Sequence, residues 1–290
     1  MKTKNLNLFL LLLLLGFGAA AQRSGNRNAQ LNRTLDELIE QRFQPNEPGG
    51  VALVAKGDEV IYEKAFGMAN LELEVPMQTD MVFRIGSVTK QFTAVAILQL
   101  LEQGKLSLQD DITKFIPNYP THGHTITIHQ LLNHTSGIMS YTDNPEVFNL
   151  ESMRKQLNPE GLVDLFKNQP MNFAPGERFL YNNSGYILLG YIIEKVSEES
   201  YADYVRTQLF EPAGMEHSLY GDDKQILKNR AYGYQPIEDG YANADFLDMS
   251  LPYAAGSLMS TARDLFKWNQ ALKSGKILKP ETLELAYQEG

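Results

Sequence analysis

The sequence predicts an α+β fold in which a small antiparallel sheet with helices against it precedes a mainly helical region. Three observations support this prediction. Residues 31–43 have the apolar spacing of a helix, residues 50–66 have the pattern of two strands around a tight turn, and long apolar helical runs dominate after residue 87. Periods of 3.6 and 2 residues are the main sequence signals for helices and strands.

The first 21 residues have the pattern of a cleavable export signal. Residues 1–4 are basic, residues 8–17 are apolar, and three alanines precede Gln22, which is typical of cleavage after Ala21. The apolar run is shorter than the roughly 20 residues that span a bilayer. We therefore expect a secreted or periplasmic protein with no stable membrane anchor after cleavage.

Three segments follow the signal. Residues 22–44 are predicted to be a polar stub and an N-terminal helix that packs on a sheet. Residues 45–86 are predicted to be the N-terminal part of the sheet domain, where two apolar runs flank Gly57-Asp58, a pair that favours a hairpin. Residues 87–290 are predicted to form the mainly helical domain.

Composition excludes several classes of protein. The chain has no cysteine, which excludes disulfides, a cysteine nucleophile and a lipid-modified cysteine at the cleavage site. The formal net charge is −9, and loss of the signal removes Lys2 and Lys4 without any acid, which gives −11. Because the surface is acidic and has no basic stripe, we expect no nucleic-acid partner.

A Ser-x-x-Lys pattern begins the first long apolar helix. Ser87 is followed three residues later by Lys90, on the same predicted helix face. Serine needs a base within hydrogen-bond reach, and a lysine can act as that base if burial lowers its pKa. The free N–H groups and dipole of a helix start also favour an anion there. The pattern therefore indicates a serine nucleophile.

The same pattern also has an ordinary interpretation. Ser87 could be a simple helix cap with a solvated Lys90, since serine is favoured at helix starts. A second copy, Ser152 to Lys155, lies in a polar stretch with no apolar surroundings to lower the pKa of a lysine. Local sequence alone leaves both interpretations of Ser87 open.

A Tyr-x-Asn pattern precedes the next long apolar helix. Tyr181 and Asn183 follow a turn signal at residues 174–177, and together they could direct a phenol and a carboxamide to one site. A second copy, Tyr241 to Asn243, is predicted to lie in a loop with no helix behind it. Alternatively, Tyr181 is a partly buried aromatic whose hydroxyl is bonded locally.

These motifs together resemble the serine β-lactamase-like superfamily, in its branch of class C β-lactamases, D-alanyl-D-alanine carboxypeptidases and esterases. The resemblance is carried by four blocks, residues 83–112, 126–138, 173–197 and 253–272. It implies that Ser87 is the acylated nucleophile, Lys90 its partner base and Tyr181 the proton shuttle. It also implies that Asn183 contacts the acyl side of the substrate.

The superfamily's third motif, Lys-Thr/Ser-Gly or His-x-Gly on a strand, has no convincing match. We reject Lys273-Ser274-Gly275 because it follows a helical run at 262–272, precedes another at 281–288, and has the pattern of a helix stop. The resemblance implies that this motif and the remaining sheet strands follow residue 290, with the active site between sheet and helical domain. We therefore expect a truncated chain that is poorly folded and inactive alone.

Other polar and aromatic residues receive simpler interpretations. His122, His124 and His129 lack a partnered carboxylate motif, so we expect no metal, and no cofactor is implied. The segment from His134 to Gly137 is expected to form a turn near the site, and a supporting role is left open. Met139, Tyr141 and Phe148 could line a substrate pocket or cover the core, and we expect the core because aromatic and methionine side chains usually pack.

Two hypotheses of function remain. The first is a secreted serine hydrolase that acts on a small molecule or peptide with a reactive carbonyl, whether amide, lactam or ester. The second is a non-catalytic penicillin-binding-like protein or inactive fragment that only binds such ligands. The joint presence of Ser87, Lys90, Tyr181 and Asn183 favours the enzyme, since a binding protein needs no matched nucleophile and base.

Overall fold

The computed structural model describes residues 29–288, which divide into two compact units between Thr79 and Asp80. The predicted export signal and residues 22–28 of the polar stub lie outside the described residues. Within residues 29–288, every helix is too short or too polar to cross a membrane.

The first unit contains one helix and two small antiparallel sheets. Its elements are α1 (residues 29–40), β1 (Gly50–Lys56), β2 (Glu59–Phe66), β3 (Met68–Asn70) and β4 (Val75–Pro76). Strand β1 pairs with β2, and β3 pairs with β4. The β1–β2 register runs from Gly50 opposite Phe66 to Lys56 opposite Glu59, and Gly57 turns the chain at φ +61°. The predicted hairpin is confirmed.

The N-terminal helix packs on this hairpin, as the sequence predicted. Asp36 of α1 accepts a 2.6 Å hydrogen bond from the Tyr62 hydroxyl and forms a 3.0 Å ion pair with Lys64, and both partners lie on β2. Just beyond the helix, the ring of Phe43 stacks on that of Phe66 with 6.4 Å between centroids. One face of β2 is thereby covered by the helical segment.

The second unit is mainly helical and also contains a short three-stranded sheet and a hairpin. Its helices are α2 (Thr89–Glu102), α3 (Ile128–Leu132), α4 (Pro159–Asp164), α5 (Asn183–Ser197), α6 (Tyr201–Tyr204), α7 (Glu211–Ala213), α8 (Tyr253–Gly256), α9 (Ala262–Lys273) and α10 (Pro280–Leu285). Its strands are β5 (Phe83–Arg84), β6 (Leu219–Tyr220), β7 (Tyr234–Ile237), β8 (Gly240–Asn243) and β9 (Leu258–Ser260).

The three-stranded sheet fixes the chain just before Ser87. Its order is β5-β9-β6, and both pairings are antiparallel, with Phe83 opposite Ser260 and Leu219 opposite Met259. The N–H of Ile85 continues the pairing by donating to the carbonyl of Leu258 at 3.0 Å. The turn that bears the serine is therefore attached to β9.

The helices of this unit share one apolar core. Helices α2, α5 and α8 pack together, and their fully buried side chains include Phe92 and Ile187. Trp268 of α9 lies against Phe92 with 4.4 Å between ring centroids, and its indole N–H donates to Gln91 at 2.9 Å. These contacts hold the first turns of α2 in place.

Two details of the sequence prediction are wrong. Tyr241 to Asn243 lie in strand β8 rather than in a loop, because residues 234–237 and 240–243 form a hairpin around a turn. The last helix is Pro280–Leu285 and is shorter than the predicted 281–288. The interpretation of Lys273-Ser274-Gly275 is confirmed, because α9 ends at Lys273 and Gly275 has φ +70°.

Candidate active site

Ser87 lies in a single 3₁₀ turn, Gly86–Val88, which leads directly into α2. Its side chain is exposed, as a nucleophile must be. The residue at the α2 N-cap, Val88, offers no side-chain hydrogen bond to the helix. The N–H groups at a helix start favour negative charge unless a side chain occupies them. The N–H groups of Val88 and Thr89 donate to the carbonyls of Ile85 and Gly86, so this helix start favours an anion at Ser87 through its dipole.

Lys90 is buried beside this serine. Its side chain is 7% exposed, and its Nζ lies 3.2 Å from the Ser87 Oγ. The amine also donates to the Asn183 Oδ1 and to the Ala255 carbonyl oxygen, each at 2.8 Å. Burial lowers the pKa of Lys90 below its ordinary value, and the neighbouring Tyr181 offsets this only in part. The amine has the environment that a lysine base requires.

Tyr181 reaches the serine from another side. Its hydroxyl lies 2.6 Å from the Ser87 Oγ, and its ring centroid lies 4.8 Å from the Lys90 Nζ. Its side chain is 43% exposed, so the phenol is open to solvent. The alternative interpretation expected the Tyr181 hydroxyl to be bonded to a local group. Its partner is instead the candidate nucleophile, Ser87.

Asn183 is the first residue of α5, and its side chain holds Lys90. The amide oxygen accepts from Lys90, while the Nδ2 donates to the Thr142 Oγ1 at 2.9 Å. Its backbone N–H donates to the Ser140 Oγ at 3.2 Å. The predicted contact between Asn183 and substrate stays a prediction. Its amide is engaged with Lys90 and Thr142 here.

The structure therefore brings together all four residues that the sequence singled out, and all four lie in the second unit. The sequence did not point to Thr142 or to the carbonyl of Ala255. Helix α8, which supplies that carbonyl, is itself tied to α2, since the Ala254 carbonyl accepts from the Thr93 hydroxyl at 2.6 Å. The only available signal was that 253–257 fell within the fourth block of the resemblance.

The model of the beta-lactamase family, described by that name, matches residues 31–289. The chain belongs to the beta-lactamase family.

Three similar proteins illustrate the range of this family. Penicillin-binding protein 4* of Bacillus subtilis (strain 168) is 33% identical over 269 residues, which are 88% of this chain and 58% of that protein. A crystal structure of a penicillin-binding protein from Bacillus halodurans is 33% identical with a TM-score of 0.76, covering 86% of this chain and 75% of that one.

The third is a D-amino acid amidase from Ochrobactrum anthropi SV3, solved in complex with L-phenylalanine amide. It is 29% identical with a TM-score of 0.76, covering 88% of this chain and 73% of that one. Our chain spans 58% of the length of the Bacillus subtilis relative and 41% of the length of protein flp from Staphylococcus aureus (strain N315). The fold and the membership of the beta-lactamase family are thus established.

The second Ser-x-x-Lys copy in this beta-lactamase-family chain has none of these features. The Ser152 hydroxyl donates to the carbonyl of Asn149 and accepts from its N–H, within a surface turn. Lys155 is exposed and forms a 2.9 Å ion pair with Glu151. Ser152 and Lys155 therefore serve as matched controls for Ser87 and Lys90.

The turn at His134 lies beside Tyr181, as the sequence predicted. The two rings are 4.8 Å apart between centroids, and the His134 Nδ1 accepts the N–H of Asn182 at 3.1 Å. Burial, together with the charge of Lys90, lowers the pKa of His134 to about 4. The imidazole is therefore neutral at neutral pH.

The histidine cluster and the three core candidates lie away from these contacts or within the core. Among residues 29–288, no group of three or more His, Cys, Asp or Glu side chains is placed to hold a metal ion. Tyr141 is buried and donates to the carbonyl of Leu251 at 2.8 Å, while Met139 and Phe148 are partly buried against the core. The prediction that these three residues serve packing is confirmed.

Proposed function

We propose that this beta-lactamase-family protein is a secreted serine hydrolase that forms an acyl-enzyme on Ser87 and then hydrolyses it. One observation carries the proposal. The Ser87 Oγ lies within hydrogen-bond distance of both the Lys90 Nζ and the Tyr181 hydroxyl. A nucleophile paired with a base that is itself oriented by further groups is the arrangement that activates a serine.

The partners of Lys90 favour its action as a base. Two of them, the Asn183 amide oxygen and the Ala255 carbonyl, can only accept hydrogen bonds. The third, the Ser87 hydroxyl, can donate as well as accept. When Lys90 is neutral, its two N–H groups satisfy the two carbonyl oxygens. Its lone pair is then left facing the hydroxyl of Ser87.

Acylation follows from this geometry. The Ser87 Oγ forms a bond to the carbonyl carbon of the substrate, and its proton passes to the Lys90 amine or through the Tyr181 oxygen. The carbon–nitrogen or carbon–oxygen bond to the leaving group then breaks, and the leaving group takes that proton through Tyr181, which faces solvent. The positive dipole end of α2 favours the negative charge that develops on the carbonyl oxygen.

Deacylation reverses the roles. A water molecule gives a proton to the same base as its oxygen bonds to the acyl carbon, and the bond to the Ser87 Oγ breaks. The serine oxygen recovers a proton from the Lys90–Tyr181 pair. The residues described here suffice for these proton transfers, so the proposal includes no metal and no cofactor.

The proposed substrate is a small molecule or peptide with a reactive carbonyl in an amide, lactam or ester bond. The names of the relatives support this class, since they include penicillin-binding proteins and a D-amino acid amidase. The export signal in the sequence supports secretion, and the acidic charge of −9 supports the absence of a nucleic-acid partner. Action outside the cytoplasm on cell-wall-like peptides or lactams fits the names of these relatives and the export signal.

Covalent labelling tests the nucleophile. In the full-length protein, the form used in every test below, we expect a fluorescent penicillin or a fluorophosphonate to add to Ser87, and the Ser87→Ala variant to take no label while retaining its melting transition. The Ser152→Ala variant, at the matched surface serine, is expected to label like the unsubstituted protein. An adduct on Ser87→Ala, detected by intact mass, overturns the assignment.

Turnover separates the enzyme from the alternative of a binding protein. An enzyme releases many molecules of product per molecule of protein from an ester, a D-amino acid amide or a D-alanyl-D-alanine peptide. A penicillin-binding-like protein that does not turn over keeps the label and releases no product from any of the three. The proposal of hydrolysis fails on that second result even when Ser87 is labelled.

A further inference from the structure

His134 occupies an unusual backbone position directly beside Tyr181. It follows α3 in the left-handed region at φ +62°, where a residue other than glycine is strained. Its ring contacts those of Tyr181 and Tyr186, at 4.8 and 5.2 Å between centroids. The mechanism proposed above gives this histidine no role, although strained residues cluster at functional sites.

His134 accepts hydrogen bonds from the residues on both sides of Tyr181. The carbonyl of His134 accepts the N–H of Leu180 at 2.9 Å, and its Nδ1 accepts the N–H of Asn182 at 3.1 Å. The backbone is thus held on both sides of the tyrosine whose hydroxyl lies 2.6 Å from the Ser87 Oγ. No other residue in the described part of the chain has both a main-chain and a side-chain bond to this segment.

The Nδ1 can accept only if it carries no proton. The neutral ring therefore bears its hydrogen on Nε2, and a doubly protonated imidazolium would face the N–H of Asn182 with a second N–H. Burial and the nearby charge of Lys90 disfavour that imidazolium. The surroundings of His134 therefore keep its Nδ1 unprotonated and able to accept the N–H of Asn182.

We infer that His134 is a positioning residue that holds the Tyr181 hydroxyl against the Ser87 Oγ through its side-chain and main-chain hydrogen bonds to Asn182 and Leu180. The inference rests on the proposed function, in which Tyr181 relays the proton. A displacement of about 1 Å in a catalytic group can slow a reaction by about 100-fold, so a backbone clamp at this point matters for rate.

A pair of substitutions isolates the side-chain acceptor. His134→Gly tolerates the positive φ and keeps the carbonyl but has no acceptor at the Nδ1 position. His134→Asn also tolerates this φ, and its Oδ1 can replace the Nδ1. We expect acylation by fluorescent penicillin to fall about 10- to 100-fold in His134→Gly, and His134→Asn to recover most of that loss.

The chain offers a matched control at His122. This histidine is exposed and also lies in the left-handed region, at φ +53°. His122→Gly makes the same chemical change at a similar backbone conformation, in a turn without a hydrogen bond to residues 180–182. Its acylation rate is expected to equal that of the unsubstituted protein.

A double-mutant cycle distinguishes positioning from general support of the fold. If His134 acts through the Tyr181 phenol, then His134→Gly has little further effect once Tyr181→Phe has removed that phenol. Independent, multiplicative losses overturn the inference. If His134→Gly does not fold, His134→Gln is compared with His134→Asn. The longer glutamine side chain places its amide near the position of Nε2, whereas asparagine places its amide near that of Nδ1. Equal rates in those two variants overturn the inference as well.

The outcomes also separate this inference from the function beneath it. An unsubstituted protein that takes no label at Ser87 refutes the proposed function, and the inference falls with it. A protein that labels at Ser87, with His134→Gly labelled at the same rate, refutes the inference alone. Loss of label in His134→Gly with recovery in His134→Asn supports both.

Discussion

At the scale of single residues, Lys90 shows how surroundings turn a common side chain into a base. A lysine at the surface is solvated, and the exposed Lys155 with its ion pair to Glu151 is an example. Lys90 instead lies in the interior, and burial lowers its pKa. In place of water, the Lys90 amine contacts fixed oxygen atoms of the protein. These oxygen atoms also orient the amine.

The pH dependence of acylation follows from this pKa. The neutral amine is the active form, so the rate is expected to rise as pH increases through the pKa of Lys90. Because burial lowers that pKa, the rise lies below the ordinary lysine value of 10.5. The measurement is the second-order rate of labelling against pH. Lys155→Ala, at the exposed control lysine, is expected to leave the profile unchanged, and a rate independent of pH contradicts the base role.

The two partners of Ser87 are expected to act as one unit. Lys90→Ala and Tyr181→Phe each remove a positioned proton carrier, and each is expected to slow acylation by about 100-fold or more. The double variant is expected to lose far less than the product of the two, because either change alone interrupts the same proton path. Labelling kinetics give the three rates. Near-normal ester turnover by Tyr181→Phe assigns Tyr181 to packing.

At the scale of elements, the site depends on the close approach of α5 and α8. Gly190 of α5 lies against α8, where an added Cβ would come within 2.3 Å of the Ala254 Cβ and 2.6 Å of the Tyr253 ring. Ala255, next along α8, supplies the carbonyl that accepts from Lys90. The absence of a side chain at Gly190 therefore allows α5 to approach α8, the helix whose carbonyl holds the catalytic amine.

Gly190→Ala is expected to destabilise the protein by about 1–3 kcal/mol, as overpacking of a well-filled core does. Urea unfolding followed by tryptophan fluorescence measures the change. Gly185→Ala in the same helix is the matched control, since its Cβ would meet no atom closer than 3.5 Å. Alanine is favoured over glycine within helices by roughly 0.5–1 kcal/mol, so this variant is expected to be as stable or more so. Equal destabilisation by both argues against the close-approach explanation.

Local rules account for those elements that the sequence predicted. The β1–β2 hairpin follows from its two apolar runs and its Gly57-Asp58 turn. Helices α2 and α5 follow from long apolar runs, and α9 follows from its apolar periodicity. The pairing of Ser87 with Lys90 follows from a spacing of one helical turn. Strands β5, β6 and β9 were missed because two or three residues carry no measurable period, and their partners are distant in sequence.

The rest of the site depends on long-range packing that single-sequence patterns do not encode. Every residue has a carbonyl, so nothing in the local sequence marks that of Ala255 as the acceptor for Lys90. The proximity of Tyr181 to Ser87 was available only through resemblance to a family. Thr142 lies in a single 3₁₀ turn and His134 in the turn after α3, and such short segments carry no period that predicts the direction of a side chain.

At the scale of the whole molecule, the second unit is built around one apolar cluster. That cluster contains residues of α2, α5, α8 and α9 together, and three of these helices supply Lys90, Asn183 and the Ala255 carbonyl. The single tryptophan of the chain, Trp268, is buried in the same cluster against Phe92. Its fluorescence therefore reports the state of the core on which the site is assembled.

We expect the site and this core to be lost in one transition. Along a urea titration, the midpoint for loss of labelling at Ser87 is expected to coincide with that for the change in Trp268 fluorescence, since coincident probes mark two-state behaviour. Phe92→Ala removes a fully buried ring and is expected to lower the free energy of unfolding by about 3–5 kcal/mol. Both urea midpoints are then expected to fall together. Exposed Leu150→Ala, at a side chain 63% exposed, is the matched control and is expected to move neither. If labelling disappears well before the fluorescence changes, the site opens locally, and the single-core account of its rigidity is wrong.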